Sequence, residues 1–255
     1  MKTALLVVSF GTTHLDTLEQ TIVATEKTLS HAFPDFPVYR AFTSGIVRKR
    51  LISKYNLYTD SVDEALNRII ADGFESVLVQ PTLMIPGEEY EKLCTSIRAS
   101  AGSLKVYIGE PLLSSDNDLD TIISVLQKAY PVDRDTVLLL MGHGTAHDAN
   151  HIYIRLDQKM KQLPNITMRL CTVEGTPSFE DALRELMALP QRKITLAPML
   201  FVAGDHAKND MAGTEQGSLR SILERNGFAV SCHIQGLGQL SAVQDLYALK
   251  AKQAH

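Results

Sequence analysis

The sequence repeats itself in two halves, and this repeat constrains the fold more than any other feature. The related segments are 4–12 with 137–145, 38–45 with 168–175, and 79–89 with 196–206. The last pair aligns without a gap, as VQPTLMIPGEE against LAPMLFVAGDH. Because the segments occur in the same order in both halves, the chain is expected to form two lobes of similar structure.

Short runs of aliphatic and β-branched residues alternate with longer amphipathic segments along the chain. The expected strands are 3–9, 37–42, 75–80, 104–109, 135–141, 167–173, 192–198 and 228–234. Strands that alternate with helices favour parallel sheets covered by helices on both faces. We therefore expect an α/β fold with an N-terminal lobe of residues 1–131 and a C-terminal lobe of residues 132–255. Each lobe is expected to hold a roughly four-stranded parallel sheet, with a cleft between the lobes.

Composition excludes several classes of function. Of the 255 residues, 45% are hydrophobic and 21% are charged, and the formal net charge is −4. A chain with this charge has no overall attraction for nucleic acid or for an anionic membrane. No apolar run approaches the ~18–20 residues of a membrane span, and the first residues do not resemble a signal peptide. We expect a cytoplasmic protein in which Cys94, Cys171 and Cys232 are reduced.

The stretch MGHGTAHDANH, residues 141–151, places His143 between two glycines directly after a hydrophobic strand. A tight turn that happens to contain a histidine is one explanation. A ligand or proton acceptor is the other, because neutral imidazole binds divalent transition metals and titrates near neutral pH. In the repeat, His143 replaces Phe10 of the first half, whereas a turn alone would need only the glycines.

Glu89 and His206 occupy equivalent positions in the other aligned pair of segments. Glu89 could instead be an acidic residue of a helix first turn, favoured there by the helix dipole, with Glu88 as its neighbour. His206 could lie incidentally in a capping segment, although Asp205 and Asp210 are close enough in sequence to orient its ring. Ligands of parallel sheets bind beyond the carboxyl ends of the strands. His143, Glu89 and His206 all follow predicted strands, so they are predicted to face one cleft.

Other motifs carry less information. His147 and His151 are four residues apart and share a helix face, but the helical motif lacks the glutamate of a zincin. The basic run 48–50 is explained by a solvated helix face or by an anion clamp. The sequence contains no Walker loop, no GxSxG elbow and no GxGxxG after a strand, and aromatic residues make up only 6%.

The chain resembles the anaerobic (class II) sirohydrochlorin cobaltochelatase family of cobalamin biosynthesis. The stretches that carry the resemblance are ALLVVSFGT, AFTSG, GEEYEK, PLLSSDND, MGHGTAH and PMLFVAGDHAKNDMAG, which extend from residue 4 to residue 213. The resemblance implies two chelatase-like lobes. It also implies that His143, Glu89 and His206 bind the incoming divalent metal.

The resemblance further implies an ATP-independent lyase that inserts Co²⁺ into sirohydrochlorin or its precursor precorrin-2. Co²⁺ is then a substrate rather than a resident cofactor, and Fe²⁺ or Ni²⁺ is the alternative metal. His143 is expected to be a ligand and a proton acceptor, Glu89 a counter-charge and proton shuttle, and His206 the remaining ligand. The residues expected to contact the tetrapyrrole are Ser9, Gly11, Thr12, Arg48 and Lys208.

Two other classes of function, and the oligomeric state, remain open from the sequence. One class is a non-catalytic carrier of metal or tetrapyrrole, which multiple-turnover metallation would exclude. The other is a metal-dependent hydrolase, which needs a denser set of acidic or histidine ligands around a bound water. A homo-oligomer is compatible with the sequence, and neither nucleic acid nor membrane is expected as a partner.

Overall fold

The computed structural model describes residues 2–255, which form two compact α/β units. The first unit comprises the chain up to Ser114 together with Ser241–His255, and the second comprises Ser115–Leu240. Each unit has one parallel sheet with helices packed on it, as the sequence predicts.

The strands lie within two residues of the predicted positions at every boundary. The first unit contains β1 (Thr3–Ser9), β2 (Val38–Phe42), β3 (Ser76–Pro81) and β4 (Lys105–Ile108). The second unit contains β5 (Thr136–Gly142), β6 (Thr167–Thr172), β7 (Lys193–Pro198) and β8 (Ala229–Cys232).

Within residues 2–255, ten α-helices connect and cover these strands. They are α1 (Leu15–Leu18), α2 (Ala24–Ala32), α3 (Gly45–Tyr55), α4 (Val62–Ala71), α5 (Glu88–Ser100), α6 (Asp116–Ala129), α7 (His151–Lys161), α8 (Phe179–Ala188), α9 (Leu219–Arg225) and α10 (Ser241–Ala254). A π-helical turn, Glu19–Val23, joins α1 to α2, and a second, His206–Met211, follows β7. Two short 3₁₀ segments are Asp148–Asn150 and Leu237–Gln239.

The two sheets have the same topology, in the orders β2-β1-β3-β4 and β6-β5-β7-β8, with every pair of neighbours parallel. β5 and β7 are neighbours at the centre of the sheet. The chain leaves β5 for β6 at one edge of the sheet and leaves β7 for β8 at the opposite edge. The carboxyl ends of β5 and β7 therefore flank a topological switch point, where sheets of this kind bind ligands. The ends of β1 and β3 occupy the same position in the first unit.

Helices pack on both faces of each sheet, which explains why the central strands are apolar along their whole length. All seven residues of β1 are buried. Leu6 faces a cluster that includes Ile69 of α4. Leu5, on the opposite face of the strand, packs in a cluster with Leu29 of α2 and Ala251 of α10. The side chains of such a strand are consumed by the core, so only its end is available to a ligand.

The compact units differ from the predicted lobes of residues 1–131 and 132–255. α10 returns to the first unit, where it packs on α2 and β3 and Tyr247 donates a hydrogen bond to the carbonyl oxygen of Leu83 at 3.1 Å. α6 belongs to the second unit, where it packs on α7. The sequence repeat marks where the second copy of the strand pattern begins, whereas apolar helix faces decide which sheet each flanking helix covers.

Among residues 2–255, no helix combines the length and the apolar composition that a membrane crossing requires.

The N-terminus of α4 carries a capping box. The backbone N–H of Ser61 donates to Glu64 Oε2 at 2.7 Å, and the backbone N–H of Glu64 donates to Ser61 Oγ at 3.2 Å. The backbone hydrogen bond from Ser61, together with hydrogen bonds from the Ser61 and Tyr58 side chains, lowers the pKa of Glu64 from 4.5 to about 2. The ionised carboxylate is therefore the form that stabilises this helix end.

We expect Glu64→Ala to lower the free energy of unfolding near neutral pH by at most about 1 kcal/mol, because solvent screens a side chain that is 46% exposed. A lowered folded-state pKa gives stability that is present above the unfolded pKa and is lost as the carboxylate protonates. The difference from wild type should accordingly shrink between about pH 4.5 and about pH 2. Urea denaturation across this range measures it. Glu64→Gln, which keeps an acceptor without charge, is the control, and a pH-independent difference for Glu64→Ala would contradict the assignment.

Candidate metal centre

The loop after β5 presents His143 at the end of the central strand of the second unit. Gly144 has φ +76°, a conformation that L-residues with a side chain rarely adopt. A Cβ at Gly144 would lie 2.7 Å from Cβ of Thr172 and 2.9 Å from the backbone nitrogen of Gly175. The glycine therefore allows the loop after β5 to approach the loop after β6. Both the left-handed turn and this close approach hold His143 in place.

The imidazole of His143 is held by its own loop. Its Nδ1 lies 3.0 Å from the carbonyl oxygen of Gly144. Because a carbonyl oxygen can only accept, this contact requires the proton on Nδ1 and leaves the lone pair on Nε2. The side chain is 45% exposed. His143 thus offers an accessible nitrogen that can bind a metal ion or accept a proton.

His206 begins the π-helical turn after β7, the strand next to β5. Its Nδ1 lies 2.6 Å from Oδ2 of Asp210, and the ring is 46% exposed. A carboxylate that accepts from Nδ1–H again leaves Nε2 with its lone pair. The structure therefore places a second imidazole, with the same nitrogen available, on the other side of the switch point.

The rings of His143 and His206 are neighbours. Their centroids are 5.1 Å apart and their planes are nearly perpendicular, at 86°. One ion can reach a nitrogen of each ring across this distance, since metal–imidazole bonds are about 2.0–2.1 Å long. Two histidines separated by 63 positions in the chain are in this way brought together by the pairing of β5 with β7.

Glu174 adds a carboxylate to the pair, and sequence reasoning missed it. It follows β6, and its backbone N–H donates to the carbonyl oxygen of His143 at 2.8 Å. Its Oε2 lies 4.0 Å from Nδ1 of His143, and the side chain is 65% exposed. The repeat contained a signal for a polar residue here, because Glu174 aligns with Ser44. Glu174 also follows β6, which is adjacent to β5, the strand before His143.

The three side chains do not form a finished metal site. Across residues 2–255, no group of three or more His, Cys, Asp or Glu side chains has the spacing of a complete ligand set. Glu174 faces the Nδ1 side of His143, so the carboxylate has to turn before it can share an ion with Nε2. The arrangement is a pair of neighbouring imidazoles with an exposed carboxylate beside it.

Glu89 lies in the first unit, as the second residue of α5. Its side chain is 45% exposed and lies 3.7 Å from Nζ of Lys92, whereas Glu88 approaches the same amine to 2.8 Å. An acidic residue is favoured at this position by the helix dipole. The helix dipole is therefore enough to explain why an acidic residue occurs at this position. That Glu89 binds the metal remains a prediction.

Three of the predicted tetrapyrrole contacts have structural roles at the end of β1 and in the loop after it. The hydroxyl of Ser9 is buried and accepts from Oγ1 of Thr82 at 2.8 Å. Thr12 is also buried and accepts from the backbone N–H of His14. Gly11 has φ +98°, and a Cβ there would lie 2.7 Å from the ring of Phe42. Their contact with substrate remains a prediction.

The two basic residues among the predicted contacts are more accessible. Arg48, on α3, pairs with Glu64 at 3.0 Å. Lys208 lies in the π-helical turn that begins at His206. Neither position tests whether these side chains contact the substrate, so both contacts remain predictions.

The other histidines of the motif cap local structure. Nδ1 of His147 accepts from the backbone N–H of Ala149 at 3.1 Å, and Nδ1 of His151 lies 2.7 Å from the carbonyl oxygen of Asp148. These contacts explain the HxxxH spacing without a metal.

The fold is that of chelatases. The structure of SirB from Bacillus subtilis with Fe³⁺ matches with a TM-score of 0.69, at 13% identity, over 100% of this chain and 96% of that one. The structure of CbiX, described as the terminal enzyme for biosynthesis of siroheme in denitrifying bacteria, matches with a TM-score of 0.58, at 19% identity, over 99% of both chains.

Residues 3–255 match the family model of the cobalt chelatase (CbiK), and the chain belongs to this family. Two curated relatives are sirohydrochlorin cobaltochelatases. The protein from Salmonella typhimurium is 34% identical over 100% of this chain and 97% of its own length. The protein from Nitratidesulfovibrio vulgaris, named CbiKC, is 31% identical over 96% of this chain and 88% of its own. The expected family is confirmed.

Gly144→Ala should displace His143 and weaken binding of Co²⁺ at least about tenfold, because the added Cβ meets backbone as well as the side chain of Thr172. Isothermal titration with Co²⁺ measures the effect. Gly204→Ala is the matched control in the loop that carries His206, since a Cβ there meets nothing within 4 Å. Equal affinities for wild type and Gly144→Ala would show that this turn does not position the imidazole.

Proposed function

We propose that this protein inserts Co²⁺ into sirohydrochlorin, without ATP, as a step of cobalamin biosynthesis. Membership of the cobalt chelatase family and two relatives named sirohydrochlorin cobaltochelatase support the proposal. The observation that carries it is the pair formed by His143 and His206, whose rings are 5.1 Å apart. Nδ1 of each ring lies beside an acceptor, so Nε2 is the nitrogen left for a ligand.

An enzyme of this kind has to bind a metal ion and then release it to the macrocycle. Two imidazoles suit this requirement, because they bind Co²⁺ without the strength of a closed thiolate site. Cys171, the cysteine on β6, is buried, and burial strongly raises the pKa of its thiol. It therefore offers no thiolate to trap the ion.

Metallation also has to dispose of two protons. The free macrocycle carries two inner N–H groups, and the ion replaces both, so that Co²⁺ enters and two H⁺ leave. A nitrogen that releases the ion recovers its lone pair and can accept a proton in the same place. We assign this exchange to Nε2 of His143.

A carboxylate near the imidazoles offsets the charge of the ion and provides the second proton acceptor. Glu174 is our choice, because its carboxylate lies 4.0 Å from His143 and is exposed enough to turn. Glu89 is the alternative that the sequence and the family resemblance favour. Both are carboxylates at strand exits, and mutation distinguishes them.

The proposal has alternatives both for the macrocycle that is metallated and for the metal that is inserted. Sirohydrochlorin and precorrin-2 are both polycarboxylates, whereas protoporphyrin is largely apolar. Lys49 and Arg50 are exposed on α3, the helix that follows β2. They provide positive charge at a strand exit of an otherwise acidic chain. Anaerobic incubation with Co²⁺, Fe²⁺ or Ni²⁺, followed by absorbance, identifies the preferred ion.

We expect His143→Ala and His206→Ala to lower the rate of Co²⁺ insertion at least about 10²-fold, because each removes a group that contacts the ion. Both side chains are about half exposed, so their loss should leave the fold intact. Absorbance under multiple turnover, with enzyme far below sirohydrochlorin, measures the rate, and circular dichroism checks the fold. Folded variants with wild-type rates would exclude the pair, and a single turnover in wild type would indicate a carrier.

Glu174→Gln and Glu89→Gln form a matched pair that decides which carboxylate acts. Each keeps the size of the side chain and removes the charge. If Glu174 is the second proton acceptor, Glu174→Gln should lower the rate about 10²-fold while Glu89→Gln lowers it less than about threefold. The opposite order would return the role to Glu89.

We expect a strong preference for sirohydrochlorin over protoporphyrin, with a KM for sirohydrochlorin that rises with salt. Added salt shortens the Debye length from ~10 Å at 0.1 M to ~3 Å at 1 M and weakens exposed carboxylate contacts. Arg50→Ala should raise KM more than it lowers kcat, since such a contact holds substrate and transition state alike. Lys27→Ala is the control. Lys27 is also an exposed cation, but it lies on α2 rather than on α3, and it pairs with Glu19. Equal kcat/KM for both macrocycles at all salt concentrations would contradict this assignment.

A further inference from the structure

The two imidazoles of the candidate metal centre are supported by different acceptors. Nδ1 of His143 lies 3.0 Å from a neutral carbonyl oxygen, whereas Nδ1 of His206 lies 2.6 Å from the carboxylate of Asp210. We propose that Asp210 is a positioning residue that fixes the orientation and tautomer of His206 and makes it the stronger of the two imidazole ligands. The inference rests on the proposed function, because it assigns unequal roles to the two histidines of that site.

The π-helical turn is built to hold this pair at the surface. Ala207 and Met211 are fully buried in the core of the second unit. His206 and Asp210 precede them by one position each and are about half exposed. The apolar residues therefore anchor the turn while its other face presents the imidazole and the carboxylate together.

A backbone hydrogen bond of the π-helical type closes this turn. The N–H of Ala212 donates to the carbonyl oxygen of Ala207 at 3.2 Å, five residues earlier. Single π-helical turns are frequent at functional sites. Here the turn holds the carboxylate of Asp210, four residues after His206, at hydrogen-bond distance from Nδ1, which leaves Nε2 with the lone pair.

A carboxylate acceptor has consequences that a carbonyl does not. Hydrogen bonds to an ionised acceptor are roughly twice as strong as those between neutral groups. A carboxylate on the far nitrogen also fixes the tautomer and the orientation of the ring, and loss of such a partner weakens metal binding. His206 should therefore keep hold of the ion, while His143, supported by a carbonyl, releases it more readily and exchanges it for a proton.

The test compares Asp210→Asn, Asp210→Ala and a matched control. The amide oxygen of Asp210→Asn can still accept from Nδ1–H but carries no charge, whereas Asp210→Ala removes both. Glu224→Gln is the control, because Glu224 also forms an exposed i,i+4 pair in the second unit, at 2.9 Å from Arg220. Titration with Co²⁺ alone, in the absence of tetrapyrrole, gives the affinity, and ¹⁵N NMR of the metal-free protein gives the tautomer of His206.

We expect Asp210→Ala to weaken Co²⁺ binding about 10–100-fold, the range typical for loss of such a partner. Asp210→Asn should weaken it less, and Glu224→Gln should leave it within about twofold of wild type. In the NMR spectra, the proton of His206 should sit on Nδ1 in wild type and in Asp210→Asn, and should move largely to Nε2 in Asp210→Ala. A variant that merely loosened the fold would shift the histidines together, so an unchanged His143 is part of the expected result.

Wild-type affinity in Asp210→Ala, or Nε2 protonation of His206 in the metal-free wild type, would overturn the assignment. The two proposals fail separately. If Co²⁺ binding responds to Asp210 but no macrocycle is metallated, the proposed function is wrong and the positioning role stands. If metallation occurs but Asp210→Ala binds Co²⁺ as wild type does, only the positioning role is lost.

Discussion

Burial of the central strands on both faces is the constraint on which the rest of the structure depends. β1, and β5 apart from its first residue Thr136, are buried in the cores of their units, so these side chains cannot meet a ligand along the strand. Chemistry has to be placed where the backbone leaves the sheet. In the second unit the two strand ends that flank the switch point carry His143 and His206, and their parallel pairing brings the rings within 5.1 Å.

The sequence repeat explains how the second unit carries the histidine pair on the same fold as the first unit. The loops after β1 and β5 share a left-handed glycine and the same hydrogen bond from a histidine N–H to a threonine hydroxyl. Directly before the shared glycine, Phe10 of the first unit is replaced by His143 of the second. The same turn thus presents an aromatic side chain in one copy and an imidazole in the other. The left-handed glycine occurs in both copies, whereas the residue before it differs.

The sequence predicts the sheets and the histidine pair well, because both follow from strong periodic signals. Long apolar runs define the strands, and the carboxyl ends of adjacent parallel strands must be neighbours. Glu174 has no such signal, since an acidic residue in a polar loop follows no periodicity, and only its position in the repeat distinguishes it. Asp205 and Asp210 are both close to His206 in sequence, so only the structure shows that Asp210 contacts Nδ1 of the ring. The return of α10 to the first unit was likewise hidden, because an amphipathic helix does not specify which sheet it covers.

The proposed transfer of a metal ion places two opposing requirements on its ligands. A site with every ligand in place would hold the ion too tightly to deliver it, and a single imidazole would not orient it. On the function proposed above, two imidazoles with unequal support would meet both requirements, because the ion would stay bound to His206 while its bond to His143 breaks. The exposed carboxylate of Glu174 would contribute charge during this exchange without closing the site. The half exposure of both rings, which would be a weakness in a structural metal site, would then allow the macrocycle to reach the ion.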